Sequence, residues 1–122
     1  MAEQKAPSRN IQQDLYRRHA DLCKVFSHAT RLQVLNILRA QEMSVSDLAR
    51  ELVVGVGNLS QHLNMMKQRR VLESRKEGNN IYYRLANTKM LKAFDYIREI
   101  LFEQMDRESD LIRHMKRMKL PA

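Results

Sequence analysis

The chain has little that would support secretion, membrane insertion or catalysis. It carries one cysteine, Cys23, in 122 residues, so no intrachain disulfide can form, and a lone thiol suits a reducing compartment. No apolar run approaches the roughly 18 residues of a membrane span. The opening Met1-Ala-Glu-Gln-Lys-Ala-Pro-Ser8 also lacks the apolar centre of a signal peptide. A cytoplasmic protein with no membrane partner is expected. With only three glycines, no glycine-rich phosphate loop and no motif that pairs a nucleophile with a base, an enzyme finds little support and no catalytic residue can be named. His19, His28, His62 and His114 stand far apart, without the paired spacing of a zinc site, and each is expected to be solvated or hydrogen-bonded. Neither a metal nor a cofactor is expected.

What the chain does have is positive charge. Its 22 Lys and Arg outnumber 14 Asp and Glu, for a net charge of +8; such a field attracts polyanions but says nothing of fold. Clustering says more, because Lys67, Arg69, Arg70, Arg75, Lys76 and Arg84 all lie within or beside one segment, the footprint of a nucleic-acid surface.

That segment runs from Ser44 to Tyr83. Ser44-Val-Ser-Asp-Leu-Ala-Arg-Glu-Leu52 opens with groups that cap orphan amides and places Val45, Leu48, Ala49 and Leu52 on one helical face. Val53-Val-Gly55 offers a turn, with glycine permitting the sharp bend. From Val56 to Arg70, Val56, Leu59, Leu63 and Met66 recur at helical spacing and leave Asn58, Gln61, Asn64 and Lys67 outward. Such side chains read bases and phosphates. Leu72 to Lys76 and Ile81 to Leu85 are strand-like, joined by Glu77-Gly-Asn-Asn80, whose Gly and Asn suit positive φ. A supporting helix, a reading helix and a hairpin in this order predict a winged helix-turn-helix, mainly α with a small β-hairpin wing. The candidate DNA contacts are Gly57, Asn58, Ser60, Gln61, His62, Asn64 and Lys67 on the reading helix, and Arg75, Lys76, Asn79 and Asn80 on the wing. Alternation sends one of Tyr82 and Tyr83 to the core and the other to the wing surface.

Outside this module the pattern is helical. Ile11, Leu15, Leu22, Val25 and Phe26 form a stripe on a first helix; Thr30 can cap a second, whose Leu32, Val34, Leu35, Ile37 and Leu38 bury heavily. Asn87 or Thr88 can cap a long last helix, with Met90, Phe94, Ile97, Leu101, Leu111, Met115 and Met118 at alternating steps of three and four. Gln104 and Glu108 break that stripe. The organisation expected is a flexible arm over residues 1–10, a winged domain over 11–105, and a long dimerisation helix over 87–119. So much apolar surface exceeds what a small monomer covers, and predicts a homodimer through the first and last helices with Leu15, Leu22, Phe94, Ile97, Leu101 and Met105 at its interface. A two-fold pair would set its reading helices roughly 34 Å apart, one turn of DNA, and so predicts an inverted-repeat operator.

Lys24-Val-Phe-Ser-His-Ala-Thr-Arg-Leu-Gln-Val-Leu-Asn-Ile-Leu38, Ser44 to Leu52, Leu59-Ser-Gln-His-Leu63 and Gly78-Asn-Asn-Ile-Tyr-Tyr-Arg-Leu85 together resemble the ArsR/SmtB family of bacterial repressors, over about residues 15 to 105. The resemblance implies a homodimeric winged-helix transcription factor, usually a repressor that leaves its operator when an inducer binds. It also implies a DNA-side position for His62, within Ser60-Gln-His-Leu63. Two features depart from the family. Where many relatives begin the reading helix with Ser-Gln-Ser, this chain has Gly55-Val-Gly57, which supplies amides for phosphate but no polar side chains. The positions of the family's metal ligands hold Ser44 and Ser46 at the supporting helix, and Asn87, Lys89, Ile100 and Glu103 near the last; only Glu103 could ligate, and hydroxyls do not replace thiolates for soft metals.

The inducer is not legible. A small molecule between the first and last helices, an oxidant at Cys23, and nothing beyond protein concentration are all open, although Cys23, with Leu22, Val25 and Phe26 around it in sequence, is expected to be a small buried apolar residue. The function expected is a sequence-specific DNA-binding regulator, acting as a repressor on duplex DNA. The alternatives are a thiol-responsive regulator working through Cys23, or a winged-helix module that binds protein or DNA architecturally.

Overall fold

The computed structural model describes residues 2–108 and 110–118. Helix α1 (Ala2–Cys23) leads through a 3-10 turn (Lys24–Phe26) to α2 (Ala29–Leu38), strand β1 (Met43–Ser44), α3 (Val45–Leu52) and α4 (Val56–Gln68). Strands β2 (Leu72–Glu77) and β3 (Asn80–Leu85), helix α5 (Lys89–Met105), a 3-10 turn (Asp106–Glu108) and α6 (Asp110–Arg117) follow. The sheet is antiparallel in the order β1-β3-β2, so the hairpin gains a third strand that two-residue Met43–Ser44 is too short to announce in sequence. No helix among the described residues is long and apolar enough to cross a membrane.

Helix α2 is the central beam. Its Val34 and Leu35 are fully buried against Leu48 of α3, Leu59, Leu63 and Met66 of α4, Val71 and Leu72 around the start of β2, and Phe94 of α5. Tyr83 is the inward wing tyrosine; Tyr82 faces out, with the Arg75 guanidinium 4.6 Å from its ring centre. The cap of α2 is His28 rather than Thr30: His28 Nδ1 accepts from the Thr30 amide at 3.1 Å, and Thr30 itself is buried. Ser44 caps α3 by accepting from the Asp47 amide at 3.1 Å, and Asn87 Oδ1 accepts from the Lys89 amide at 2.9 Å at the start of α5.

The bend between α3 and α4 does not depend on glycine. Gly55 is extended, at φ −68° and ψ 142°, whereas Val53 takes the left-handed conformation at φ 55°. Val53 and Val54 donate to the carbonyls of Arg50 and Ala49, the two bonds of a Schellman helix stop, for which glycine is the usual residue. Arg70, at φ 62°, ends α4 in the same way, with Arg70 and Val71 donating to Lys67 and Met66. In the wing turn, Gly78 has φ 63° and Asn79 has no positive φ.

Both chain ends depart from expectation. Residues 2–10, expected as an arm, continue the backbone of α1; Ala2, Glu3, Gln4, Lys5 and Ala6 are strong helix formers. The single last helix is two helices. The run from Gln104 to Asp110 offers only Met105 for burial, α5 stops there, and Lys116 of α6 reaches back to Asp106 at 2.9 Å and to the Phe102 ring. Ten residues of unbroken helix would span about 15 Å, so that ion pair requires the break. The last part of the expected helix, at Lys119, lies outside the described residues. Phe94, expected at a dimer interface, is 4% exposed within its own chain, between the guanidiniums of Arg39 and Arg98 at 5.5 and 4.5 Å. Leu15, Leu22, Ile97 and Leu101 are exposed, and Met105 is half-buried. Cys23 is exposed rather than buried, at the end of α1; the burial in the turn that follows goes to Val25. A cleft of about 400 Å³ opens between α2, α3 and α5, floored by Leu32, Ile37 and Leu52, and so does not lie between the first and last helices.

Candidate nucleic-acid interface

Helix α4 is held by its apolar side. Leu59, Leu63 and Met66 are fully buried, while Gly57, Asn58, Gln61, Asn64 and Lys67 are exposed and Ser60 is half-buried. Val56 does not join the buried stripe; at the first turn it is half-exposed. No side chain caps the start of α4, so its orphan amides and the positive end of the helix dipole are open to an anion. A Cβ built at Gly55 or Gly57 would meet nothing within 4 Å. Packing therefore does not demand either glycine, and what they leave is room for a close approach to the backbone.

His62 stands apart from its neighbours on α4. It is half-buried, its Nδ1 lies 3.0 Å from Arg31 Nη1, and its ring centre lies 4.2 Å from that of His28. Arg31 is in turn fixed by the carbonyls of Lys24 (2.8 Å) and Val25 (3.3 Å) and by Ser27 Oγ (3.1 Å). Thirty-one residues separate Arg31 from His62, so no spacing pattern pairs them; the contact arises because α4 crosses the start of α2. His62 is thereby drawn into an intramolecular network instead of sharing the free face of Gln61. Burial, followed by the neighbouring His28 and Arg31, holds its pKa below the ordinary histidine value. The two histidines brought together here do not make a metal site. Both Nδ1 atoms already face N–H donors, and the described residues include no group of three or more His, Cys, Asp or Glu able to hold a metal ion.

The wing's cations are largely spoken for. Arg75 binds Glu42 through Nη2 at 2.7 Å and Nε at 3.0 Å and also pairs with Glu77, and these carboxylates raise its pKa. The same contact holds the Glu42 carboxyl below the usual range. Arg84 pairs with Glu73 at 2.8 Å across the hairpin. Arg69 docks the end of α1 onto α4, through Asp21 Oδ1 at 2.9 Å and the Asp21 carbonyl at 3.1 Å, and lowers the Asp21 pKa. Of the clustered cations only Lys67, Arg70 and Lys76 have no ion-pair partner among the described residues. Lys76, Asn79 and Asn80 are exposed at the wing tip. Arg75, expected as a DNA contact, is ion-paired while half of its side chain stays exposed: Glu42, just before β1, comes beside the wing because β1 pairs with β3, an adjacency the sequence does not signal.

The model of the bacterial regulatory protein, arsR family, matches residues 28–74, the stretch from the His28 cap through α4 into β2. The HTH-type transcriptional regulator KmtR of Mycobacterium tuberculosis is 37% identical over 67 residues, 55% of this chain and 52% of that protein. The transcriptional repressor SdpR of Bacillus subtilis is 30% identical over 74 residues, 61% of this chain and 82% of the repressor. The match thus spans about half the length of the mycobacterial regulator and most of the Bacillus one. Among solved structures, the homodimeric winged helix-turn-helix DNA-binding domain of a Mycobacterium bovis protein superposes with a TM-score of 0.68 at 26% identity, covering 75% of this chain and 85% of that domain. With its α3–α4 pair, its three-stranded wing and a repressor relative matched over most of its length, this chain belongs to the arsR family of bacterial regulatory proteins.

Proposed function

We propose that the chain is a cytoplasmic transcriptional regulator that binds duplex DNA as a homodimer and represses by occupying promoter DNA. One observation carries this reading: Asn58, Gln61 and Asn64 lie exposed, with no hydrogen-bond partner among the described residues, on a helix whose opposite side is fully buried. Free amides on a rigid helix suit bidentate contacts to adenine in the major groove, while Lys67 and Lys76 supply phosphate contacts and the uncapped start of α4 adds backbone amides. The winged unit over residues 11–105 does the reading. The apolar faces of α1 (Ile11, Leu15, Leu22) and α5 (Ile97, Ile100, Leu101) support pairing of two copies, and a two-fold pair with its reading helices one DNA turn apart would take an inverted repeat. The names of its relatives, a regulator and a repressor, agree with this reading. Selection of bound duplexes from a randomised pool by the purified chain tests it. Enrichment of an inverted repeat is expected; recovery of unselected sequence at every salt concentration would overturn the specific-regulator reading.

A further inference from the structure

We infer that Arg31 positions the reading helix through His62, as a clasp that holds only while His62 is uncharged, so that DNA binding by this chain is sensitive to protons. The inference rests on the DNA-reading role given to α4. Arginine has only N–H donors, so the 3.0 Å contact between Arg31 Nη1 and His62 Nδ1 requires the lone pair of Nδ1 and places the ring proton on Nε2. The same logic applies to His28, whose Nδ1 accepts from the Thr30 amide at 3.1 Å. Two rings 4.2 Å apart thus each hold an unprotonated nitrogen against a fixed donor.

A proton on His62 Nδ1 would set N–H against N–H, and cation against guanidinium, at hydrogen-bond distance. Arg31 cannot retreat cheaply, because the Lys24 and Val25 carbonyls and Ser27 Oγ hold it. His62 must then swing away, and it sits on α4 between Gln61, on the reading face, and Leu63, in the core.

The groups facing His62 are His28, ahead of α2, and Arg31, on α2. Arg69, at the end of α4, adds to the positive field at Arg31, while Asp21 of α1 is bonded to Arg69. The interactions that shift His62 include no carboxylate, and its pKa is lowered by burial first and by these cations second. The sign follows. Protons bind the unfolded or released histidine more readily than the clasped one, so the clasp is intact above the ordinary value of about 6.5 and is lost as pH falls through the lowered one.

The test uses the full chain, a fluorescent duplex carrying the selected sequence, and the variants His62→Gln and Arg31→Lys. Glutamine can accept from Arg31 and does not titrate. Affinity of the wild type should fall by up to about tenfold per pH unit for each His62 that charges in the bound pair, whereas His62→Gln, whatever its affinity at about pH 8, should follow a flatter pH profile. Arg31→Lys, which loses the forked geometry, should weaken binding at about pH 8 without flattening the profile to that of His62→Gln. Nitrogen-correlated NMR of the histidine rings, which needs no DNA, should show His62 neutral with its proton on Nε2. An Nδ1–H tautomer, or identical pH profiles for wild type and His62→Gln, would overturn the clasp. Absence of duplex binding by both proteins at every pH would overturn the DNA reading instead, a result that the NMR titration separates from failure of the clasp.

Discussion

The outward face of α4 and the wing both carry polar and basic side chains, yet the fold leaves the first free and pairs two of the wing's three cations. On α4, Asn58, Gln61, Asn64 and Lys67 are left free, while on the wing Arg75 and Arg84 are consumed by Glu42, Glu77 and Glu73. A count of cations would rank the wing as the stronger DNA contact. Ion pairing tells against that ranking, since an arginine already bonded to two carboxylates must loosen those partners before it can hold a phosphate, at a small cost for pairs as exposed as these. A basic segment therefore cannot be scored as a nucleic-acid surface by counting its cations alone.

Leu63 is fully buried, and Leu63→Ala should cost about 2–5 kcal/mol of stability by leaving a cavity under α4; denaturant unfolding measures it, and a loss under about 1 kcal/mol would show that the helix is not anchored there. Next in size, Gln61→Ala should weaken binding to the selected sequence by about 1–3 kcal/mol and barely alter binding to scrambled duplex. Equal losses on both would remove Gln61 from base reading.

The wing provides a sharper, smaller contrast. Lys76→Ala should lower the slope of log affinity against log salt by about 0.9 for each protomer on the DNA, the release of one phosphate contact per wing, while Arg75→Ala should leave it nearly unchanged. Equal slopes for the two variants would mean that Arg75 abandons Glu42 on DNA. Smallest is the pair of turns that aim the two regions. Val53, 88% exposed at φ 55°, is a β-branched residue in a conformation that favours glycine, so Val53→Gly should raise stability by about 0.5–1 kcal/mol. Gly78→Ala at φ 63° should lower it by about 1 kcal/mol. Thermal unfolding distinguishes the signs.

Much of this molecule was legible from residue spacing. The order of supporting helix, reading helix and hairpin, the buried set Leu48, Leu59, Leu63 and Met66, and the caps at Ser44 and Asn87 follow from local periodicity and from side chains that satisfy amides a few residues away. Spacing failed where the deciding partner was remote or the turn was unconventional. Thr30 had the chemistry of a cap, but His28 reached its amide first. Gly55 had the freedom for the bend, but the helix stop fell at Val53. Phe94 fitted an exposed seam, yet Arg39 and Arg98 enclose it.

The amino-acid sequence by itself determined the elements and which side of each is apolar, because helical and strand periods and helix caps act over a few residues. Tertiary structure alone decided which polar groups remain free: Glu42 meets Arg75 across 33 residues, Asp21 meets Arg69 across 48, and Arg31 meets His62 across 31. Those pairings depend on how elements cross, and a short-range pattern carries no information about a charge that arrives from another part of the chain.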